Sequence, residues 1–296
     1  MAVDLDLIEQ GIKPLPATPA ELAAMDELGP ADYEIYSEML SIICQEGKDI
    51  MTKMGISAML HSGDSVAAIY TPAGDLVTAI LGTYLHCVTG QIPVKFILKY
   101  WKDNPTVGVR PGDVFYCNEA IYGGIHNPDQ FAVVPAFLDG ELIAWSVVGA
   151  HQAETGGSEP GGEITTARSR HDEGMKLTPI KIGERYQLRD DLLKMMENFI
   201  SRAPRMQVTD VRARVSGAEP AGLKQERAGR PSRPTRRDAW VGGATQEVEV
   251  FTREGMLQGD RGRGPCIIEE YDSTLVVNPS WTWRTEEYGA RLERRR

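Results

Sequence analysis

The sequence predicts a mixed α/β class fold, α+β in arrangement, in which antiparallel hairpins pack with helices and a small β-rich segment closes the C-terminal end. Three observations carry that expectation. Residues 31–54, ADYEIYSEMLSIICQEGKDIMTKM, space Ile35, Met39, Ile42, Ile43, Ile50 and Met54 at helical intervals and stop at Gly55. QFAVVPAFLDGELIAWSVVGA sets two β-rich arms on either side of Asp139-Gly140, a dipeptide suited to the positive φ angles of a tight hairpin turn. Beyond residue 237, EVEVF, CIIEE, STLVV and WTWRT are short apolar runs of strand length, separated by Gly, Asp, Asn and Pro.

The remaining elements follow along the chain. Residues 1–30 carry Pro14, Pro16, Pro19 and Pro30 among short apolar pieces, which predicts an extended arm with one helical turn over 22–28. DSVAAIYTPAGDLVTAI alternates and breaks at Pro72, Gly74 and Asp75, the pattern of a half-buried hairpin. GQIPVKFILKYWKDN predicts a second helix starting after Pro93, and VFYCNEA a strand after the PGD turn at 111–113. Residues 152–175, rich in Gly, Ser, Thr and charge, read as a long functional or mobile loop. RYQLRDDLLKMMENFISRA places Leu188, Leu192, Leu193, Met196 and Ile200 on one side of a last helix. From there to residue 237 the chain carries Pro204, Pro220, Pro231 and Pro234, many arginines and little apolar periodicity, so 204–237 is expected to be a linker. The expected division is therefore an arm at 1–30, a domain at 31–203, that linker, and a β-rich segment at 238–296.

Bulk properties narrow the partners. The chain has 296 residues, is 42% hydrophobic and 25% charged, and can bury a sizeable core. Its net charge of −10 argues against nucleic acid, which requires a basic footprint. An RNA-binding reading of the arginine-rich stretch lacks the interleaved aromatic residues that stack on bases. Cys44, Cys87, Cys117 and Cys266 are widely spaced and form no C-x-x-C pair, which predicts reduced thiols. The N-terminal residues lack an apolar signal region and no run approaches a membrane span, so the expected location is cytoplasmic.

One group of residues has the types and placement for metal chemistry. GGIHNPDQF holds His126 and Asp129 in a Gly- and Pro-containing loop just before the first hairpin strand, and His151 ends the second. Antiparallel strands joined at Asp139-Gly140 bring their outer ends together, so His126, Asp129 and His151 converge. Two imidazoles and one carboxylate leave open positions on a divalent cation and suit manganese, iron or zinc better than calcium or magnesium. Glu154, Glu163 and Glu173, in the following loop, are candidates for a general base or for supporting the ligands, against the plainer reading of a solvated acidic loop. His171 is a further weak ligand candidate, and His61 and His86 read as structural. Gly156, Gly157, Gly161 and Gly162 would let backbone approach a ligand, but no phosphate-loop or dinucleotide fingerprint is present, and no cofactor-binding residues are assigned.

These residues also resemble a known family. YTPAGDLVTAI, RPGDVFYCNEAIYGGIHNPD, PAFLDGELIAWSVVGAHQAETGG and HDEGMKLTPIKI, over residues 33–217, are similar to the hydantoinase B family. That family includes 5-oxoprolinase-type hydrolases and the α subunits of acetone and acetophenone carboxylases. The resemblance implies a metal site at His126, Asp129 and His151, with manganese first and zinc or iron as alternatives. Gln152 after His151 looks closer to the carboxylases than to hydantoinases, which implies a ketone and bicarbonate as substrates. ATP and magnesium would then be handled by a separate, hydantoinase A-like subunit of a hetero-oligomer, alongside other carboxylase subunits. Where the family usually has N-D-P-Y the sequence has Asn118, Glu119, Ala120 and Ile121, and it has Glu154 where an aspartate is usual. Family members also continue far beyond Gly217, and residues 239–292 resemble the end of the hydantoinase A-like subunit instead. The implied role is a metal-binding subunit of an ATP-dependent ketone carboxylase, a ligase forming C–C bonds. Its rivals are a non-catalytic assembly subunit and a subunit of an ATP-dependent hydantoinase or oxoprolinase.

Overall fold

The computed structural model describes residues 3–200, 202–219, 234–252, 256, 260–269, 274–286 and 289–294. The chain forms two compact units, Met1–Pro220 and Ala221–Arg296. In the first, helices α1 (Leu5–Gln10), α2 (Pro19–Glu27), α3 (Pro30–Met54) and α4 (Ala58–Ser62) precede the hairpin β1 (Ser65–Tyr70) and β2 (Leu76–Leu81). Helices α5 (Tyr84–Thr89) and α6 (Gln91–Tyr100) lead to β3 (Val114–Cys117), a short 3₁₀ turn at Ala120–Tyr122, and the long hairpin β4 (Asp129–Leu138) and β5 (Glu141–His151). Strands β6 (Ile180–Glu184) and β7 (Gln187–Leu188) and helices α7 (Asp190–Phe199) and α8 (Pro204–Ala218) complete it. The mixed class and both sequence-predicted hairpins are present.

The seven strands make one antiparallel sheet in the order β2-β1-β5-β4-β3-β6-β7. Because side chains alternate across a strand, the sheet buries two apolar faces. One presents Ala67, Tyr116, Ala132, Val134, Val148 and Ile182 to α3, α7 and α8. The other presents Val66, Tyr70, Phe115, Phe131, Trp145 and Val147 to α5 and α6. The β4–β5 turn takes φ of 50° at Asp139 and 85° at Gly140, matching the twist of the strands it joins.

Several expectations change. The N-terminal stretch is more helical than an extended arm. Asp4 caps α1 through Leu7 N–H and accepts hydrogen bonds from Lys99 and Tyr100, which seats Leu7 on Ile92, Phe96 and Tyr122. Helix α6 starts at Gln91, ahead of Pro93, because first-turn residues have no helical partner for an N–H that proline lacks. Residues Ile35, Met39, Ile42 and Ile43 of α3 are exposed rather than core-facing, since the first part of the helix runs past the sheet and its buried positions are Cys44, Gly47 and Met51.

The largest correction lies in the expected linker, whose first part is helix α8. Its inward face carries polar groups, which hides it from a search for apolar periodicity. Gln207, Asp210 and Arg214 are fully buried. Asp210 accepts the N–H groups of Ile56 and Ser57 and the side-chain amide of Gln152, at 2.8, 3.4 and 3.3 Å. Arg214 donates to the carbonyls of Ala150 and His151. Where α8 crosses α3, a Cβ on Gly217 would stand 2.4 Å from the Gly47 carbonyl oxygen, so only glycine permits the approach. The linker's far end also differs, because β8 begins at Thr235; residues 220–233 lie outside the described residues.

The second unit contains β8 (Thr235–Val241), β9 (Ala244–Thr252), β10 (Arg261–Arg263), β11 (Cys266–Glu269), β12 (Thr274–Val277), β13 (Trp281–Glu286) and β14 (Gly289–Arg294). They form a four-stranded sheet, β12-β11-β9-β8, and a three-stranded sheet, β10-β13-β14. The described residues of all four β-rich motifs of the tail fall on strands; Glu270 and Ser273 lie outside the described residues. The four cysteines are buried and free, and among the described residues no helix is long and apolar enough to cross a membrane.

Two predictions follow from the packing. Asp210→Ala leaves three donors unpaired in the core and should destabilise the first unit by about 2–4 kcal/mol, read from urea unfolding. Asp4 should tie α1 down to low pH. Hydrogen bonds from Lys99, Tyr100 and Leu7 N–H lower its carboxyl from 3.8 to about 2. The contribution is therefore complete above 3.8 and disappears as pH falls through about 2. Asp4→Asn should remove that dependence, with hydrogen exchange at Leu7 as the readout.

Candidate metal centre

The site forms where three neighbouring strands end together. Asp129, the first residue of β4, pairs directly with His151, the last of β5. On the other side of β5, Ser65 pairs with Ala150, and the His151 N–H donates to the Asp64 carbonyl at 3.2 Å. Asp64, His151 and Asp129 thus occupy one sheet end. Alternation directs His151 and Asp129 to the face shared by Phe131 and Val147, under α5.

His126 arrives from the loop before β4. The Asp129 carboxylate accepts the Ile125 N–H at 2.8 Å, and the Asp129 N–H donates to the His126 carbonyl at 3.1 Å, so the loop folds back on its own strand. A Cβ on Gly124 would lie 2.8 Å from that carbonyl oxygen, which keeps the turn free of a side chain there. The Asn127 N–H is held by the Glu173 carboxylate at 2.9 Å, while Asn118 donates to the carbonyls of Asn127 and Met175.

The convergence inferred from the sequence is present. His126 Nε2 lies 3.0 Å from His151 Nδ1 and 3.3 Å from Asp129 Oδ1, and the third side, from His151 Nδ1 to Asp129 Oδ1, is 3.8 Å. Ligands at about 2.1 Å from a common ion stand about 3.0 Å apart at a right angle and about 3.4 Å apart at a tetrahedral angle. The triangle fits that spacing along two sides and is wider along the third, from His151 to Asp129. Its charge fits too. Asp129 is 1% exposed, and among the described residues no lysine or arginine pairs with it, only His86, His126 and His151. A bound cation would offset this buried anion, the part that a protonated His126 takes in metal-free protein.

Electrostatics sort the two histidines. For His126, burial works against the charged form, but the hydrogen bond to Asp129 and the nearby Asp129, Glu173 and Asp64 charges raise its pKa overall. Burial and the neighbouring His126 charge lower that of His151. For Asp129, burial is outweighed by the His126 hydrogen bond and the His86 and His126 charges, which hold its carboxyl below the usual range.

Two more residues join the cluster: His86, which reads as structural in the sequence, and Asp64, which the sequence motifs do not single out. His86, on α5, has Nε2 3.3 Å from Asp64 Oδ1 and 3.8 Å from Asp129 Oδ1, and its ring meets the Phe131 ring edge-on. Asp64 also accepts the Thr83 hydroxyl at 2.6 Å, and its Oδ2 lies 4.0 Å from His151 Nδ1. Asp64 and His126 are the partly exposed members, at 34% and 30%, and form the mouth. The available signal for Asp64 was its place one residue ahead of a strand whose register nothing local specifies. His86 sits on a short helix that the periodicity did not reveal.

The acidic loop candidates have defined places. Glu154 accepts the N–H groups of Gly156 and Gly161 and pairs with Arg202, which itself holds the Gly157 carbonyl. Glu173 supports the His126 loop as described, and Glu163 is exposed but close enough for its charge to act on His151. His171 is exposed beside Lys176, and His61 meets the Gly55 carbonyl on α4. Glu119, where the sequence departs from the family, pairs with Arg170 at 2.8 Å.

Comparison with known proteins agrees with this architecture. Residues 29–224 match the family model for hydantoinase B/oxoprolinase. The chain is 40% identical over 208 residues to the acetophenone carboxylase delta subunit of Aromatoleum aromaticum, covering 70% of this chain and 30% of that protein. It is 29% identical over 196 residues to the acetone carboxylase alpha subunit of Xanthobacter autotrophicus, covering 64% and 25% respectively. A nucleotide-free structure of acetone carboxylase superposes with a TM-score of 0.61 at 27% identity, over 70% of this chain and 26% of that one. The chain thus spans less than a third of the length of these relatives.

In metal-free protein the opposed shifts should be visible by NMR titration, with His126 titrating above 6.5 and His151 below it. Asp129→Asn removes the hydrogen-bonding anion and should move the His126 titration to lower pH.

Proposed function

This chain belongs to the hydantoinase B/oxoprolinase family, and from that premise we propose that it is the metal-binding subunit of an ATP-dependent ketone carboxylase that works as a hetero-oligomer. The observation that carries the reading is the buried Asp129 carboxylate, faced by two imidazole nitrogens at ligand spacing and by no lysine or arginine among the described residues. The similarity to acetophenone and acetone carboxylase subunits supports the choice of reaction class.

His126, Asp129 and His151 would hold the ion, manganese first and zinc or iron as alternatives. A divalent ion at this position supplies Lewis-acid stabilisation of a developing enolate or carboxylate oxygen. The protein's own part is placement. The His86 ring stands between the Asp64 and Asp129 carboxylates and keeps both aimed at one point. Behind the sheet, Arg214 grips the carbonyl of His151 and so fixes the strand end that presents its ring. Glu173 steadies the loop that carries His126. Ketone and bicarbonate would approach through the mouth at His126 and Asp64, while ATP and magnesium fall to a hydantoinase A-like partner subunit.

A second reading, a non-catalytic assembly subunit, is favoured by the surface of α3. Tyr33, Ile35, Tyr36, Met39, Ile42 and Ile43 are exposed together, a stripe that an isolated chain rarely leaves to water. Residues 14–47 around it hold seven acidic residues and no lysine or arginine, which suits an apolar partner surface rimmed with basic groups.

Metal analysis tests the first reading. The purified chain should carry about one divalent ion, and the His126→Ala, His151→Ala double variant close to none; equal content in both ends the metal proposal. Bicarbonate-dependent ATP turnover with co-expressed partner subunits then separates the two roles. Loss of turnover in the double variant supports catalysis, and full turnover leaves the assembly role. Turnover driven by a hydantoin or oxoproline instead would assign the subunit to the cyclic-amide hydrolases.

A further inference from the structure

The second unit carries a charged surface that the metal centre does not explain. In the β10–β13 register Arg261 lies directly opposite Arg284, and Arg263 lies directly opposite Thr282. Alternation places these residues on the face away from Trp283, whose ring is buried in the unit's core. Arg261, Arg263 and Arg284 are all exposed.

Like charges directly across a strand pair repel, so this arrangement weakens the sheet unless an anion lies between them. Among the described residues none of the three arginines has a carboxylate partner. The other sheet of the same unit shows the usual solution, with Arg236 paired to Glu247 and Glu249 and Arg237 to Glu269. The three arginines, with Thr282 and Glu293, line a groove of about 500 Å³. Glu293 pairs in register with Thr282, in the row of Arg263, whereas the Arg261–Arg284 row continues in register to Arg291 of β14. Charge points the same way. Residues 221–296 hold 14 Lys and Arg against 12 Asp and Glu, whereas residues 1–220 hold 18 against 30.

We propose that this groove is an oxyanion-binding site in which Arg261 and Arg284 clamp a phosphate or carboxylate group, with Arg263 and Thr282 at its flank. Two planar guanidinium groups present parallel N–H donors, the geometry that grips such oxygens two at a time. The anion would also remove the repulsion between the two strands. Ligand binding and local sheet stability are therefore linked at one place, independently of the role assigned to the first unit.

The test uses the full chain in an anion-poor buffer with ionic strength held constant by sodium chloride. Inorganic phosphate and succinate are titrated separately, with amide shifts at Gly262, Arg263 and Thr282 as the readout. A saturable shift confined to those amides is expected, and the tighter of the two ions identifies the phosphate or the carboxylate class. Arg261→Gln and Arg284→Gln should each weaken binding at least about tenfold, the loss of one charge-assisted contact. Arg236→Gln, which leaves the groove intact, should not change it. Each groove substitution also removes half of a repelling pair, so the melting temperature of the anion-free protein should hold or rise. The proposal is overturned if neither ion saturates, if Arg236→Gln weakens binding as much as Arg284→Gln, or if either groove variant melts lower without anion.

Discussion

The direct pairing of Asp129 with His151 across β4 and β5 is the constraint on which the first unit depends. A shift of one residue would move every side chain on the hairpin to the opposite face. Phe131, Val133 and Val147 would then leave the α5–α6 side, Ala132, Val134 and Val148 would leave the α3–α8 side, and the two candidate ligands would part. The same register that divides the core between its faces therefore also assembles the site. The turn at Asp139-Gly140 contributes by accepting the backbone angles that a tight connection requires.

Both faces of the sheet serve that strand end. On one, α5 brings His86 against the carboxylates of Asp64 and Asp129, with Phe131 packed at its ring. On the other, α8 inserts Gln207, Asp210 and Arg214 where an ordinary core helix would place leucines. Buried polar side chains are favourable only through the hydrogen bonds they make, and here the partners are the backbone at Ile56 and Ser57, the amides of Gln130 and Gln152, and the carbonyls of Ala150 and His151, with Arg214 Nε and Nη1 and Gln207 Oε1 left without one among the described residues. A network of this kind specifies position more sharply than apolar contact. It joins the α3–α4 junction, the end of β5 and a helix whose Arg214 lies 64 and 63 residues beyond the carbonyls it holds.

Exposure is distributed unevenly over the first unit. The ligand candidates Asp129 and His151 are almost fully covered, while the first half of α3 leaves large apolar side chains in water. The relatives are more than three times as long as the part this chain matches. The acidic flank of α3 disfavours pairing with a second copy of itself, because like charges would meet.

What the sequence alone determined was whatever rests on local chemistry and short-range pattern. The mixed class, the two hairpins, the C-terminal strands and the convergence of His126, Asp129 and His151 follow from alternation, from Asp139-Gly140 and from the positions of the ligand types relative to one turn. Tertiary structure decided the rest. Helix α8 was read as linker because its buried face is polar, and only partners distant in the chain make such a face favourable. Ile35, Met39, Ile42 and Ile43 look like a core stripe because periodicity reports amphipathicity and not which surface lies opposite. Asp64 and His86 join the site through the pairing of β1 with β5 and the packing of α5 on the sheet, contacts that no local run of residues encodes.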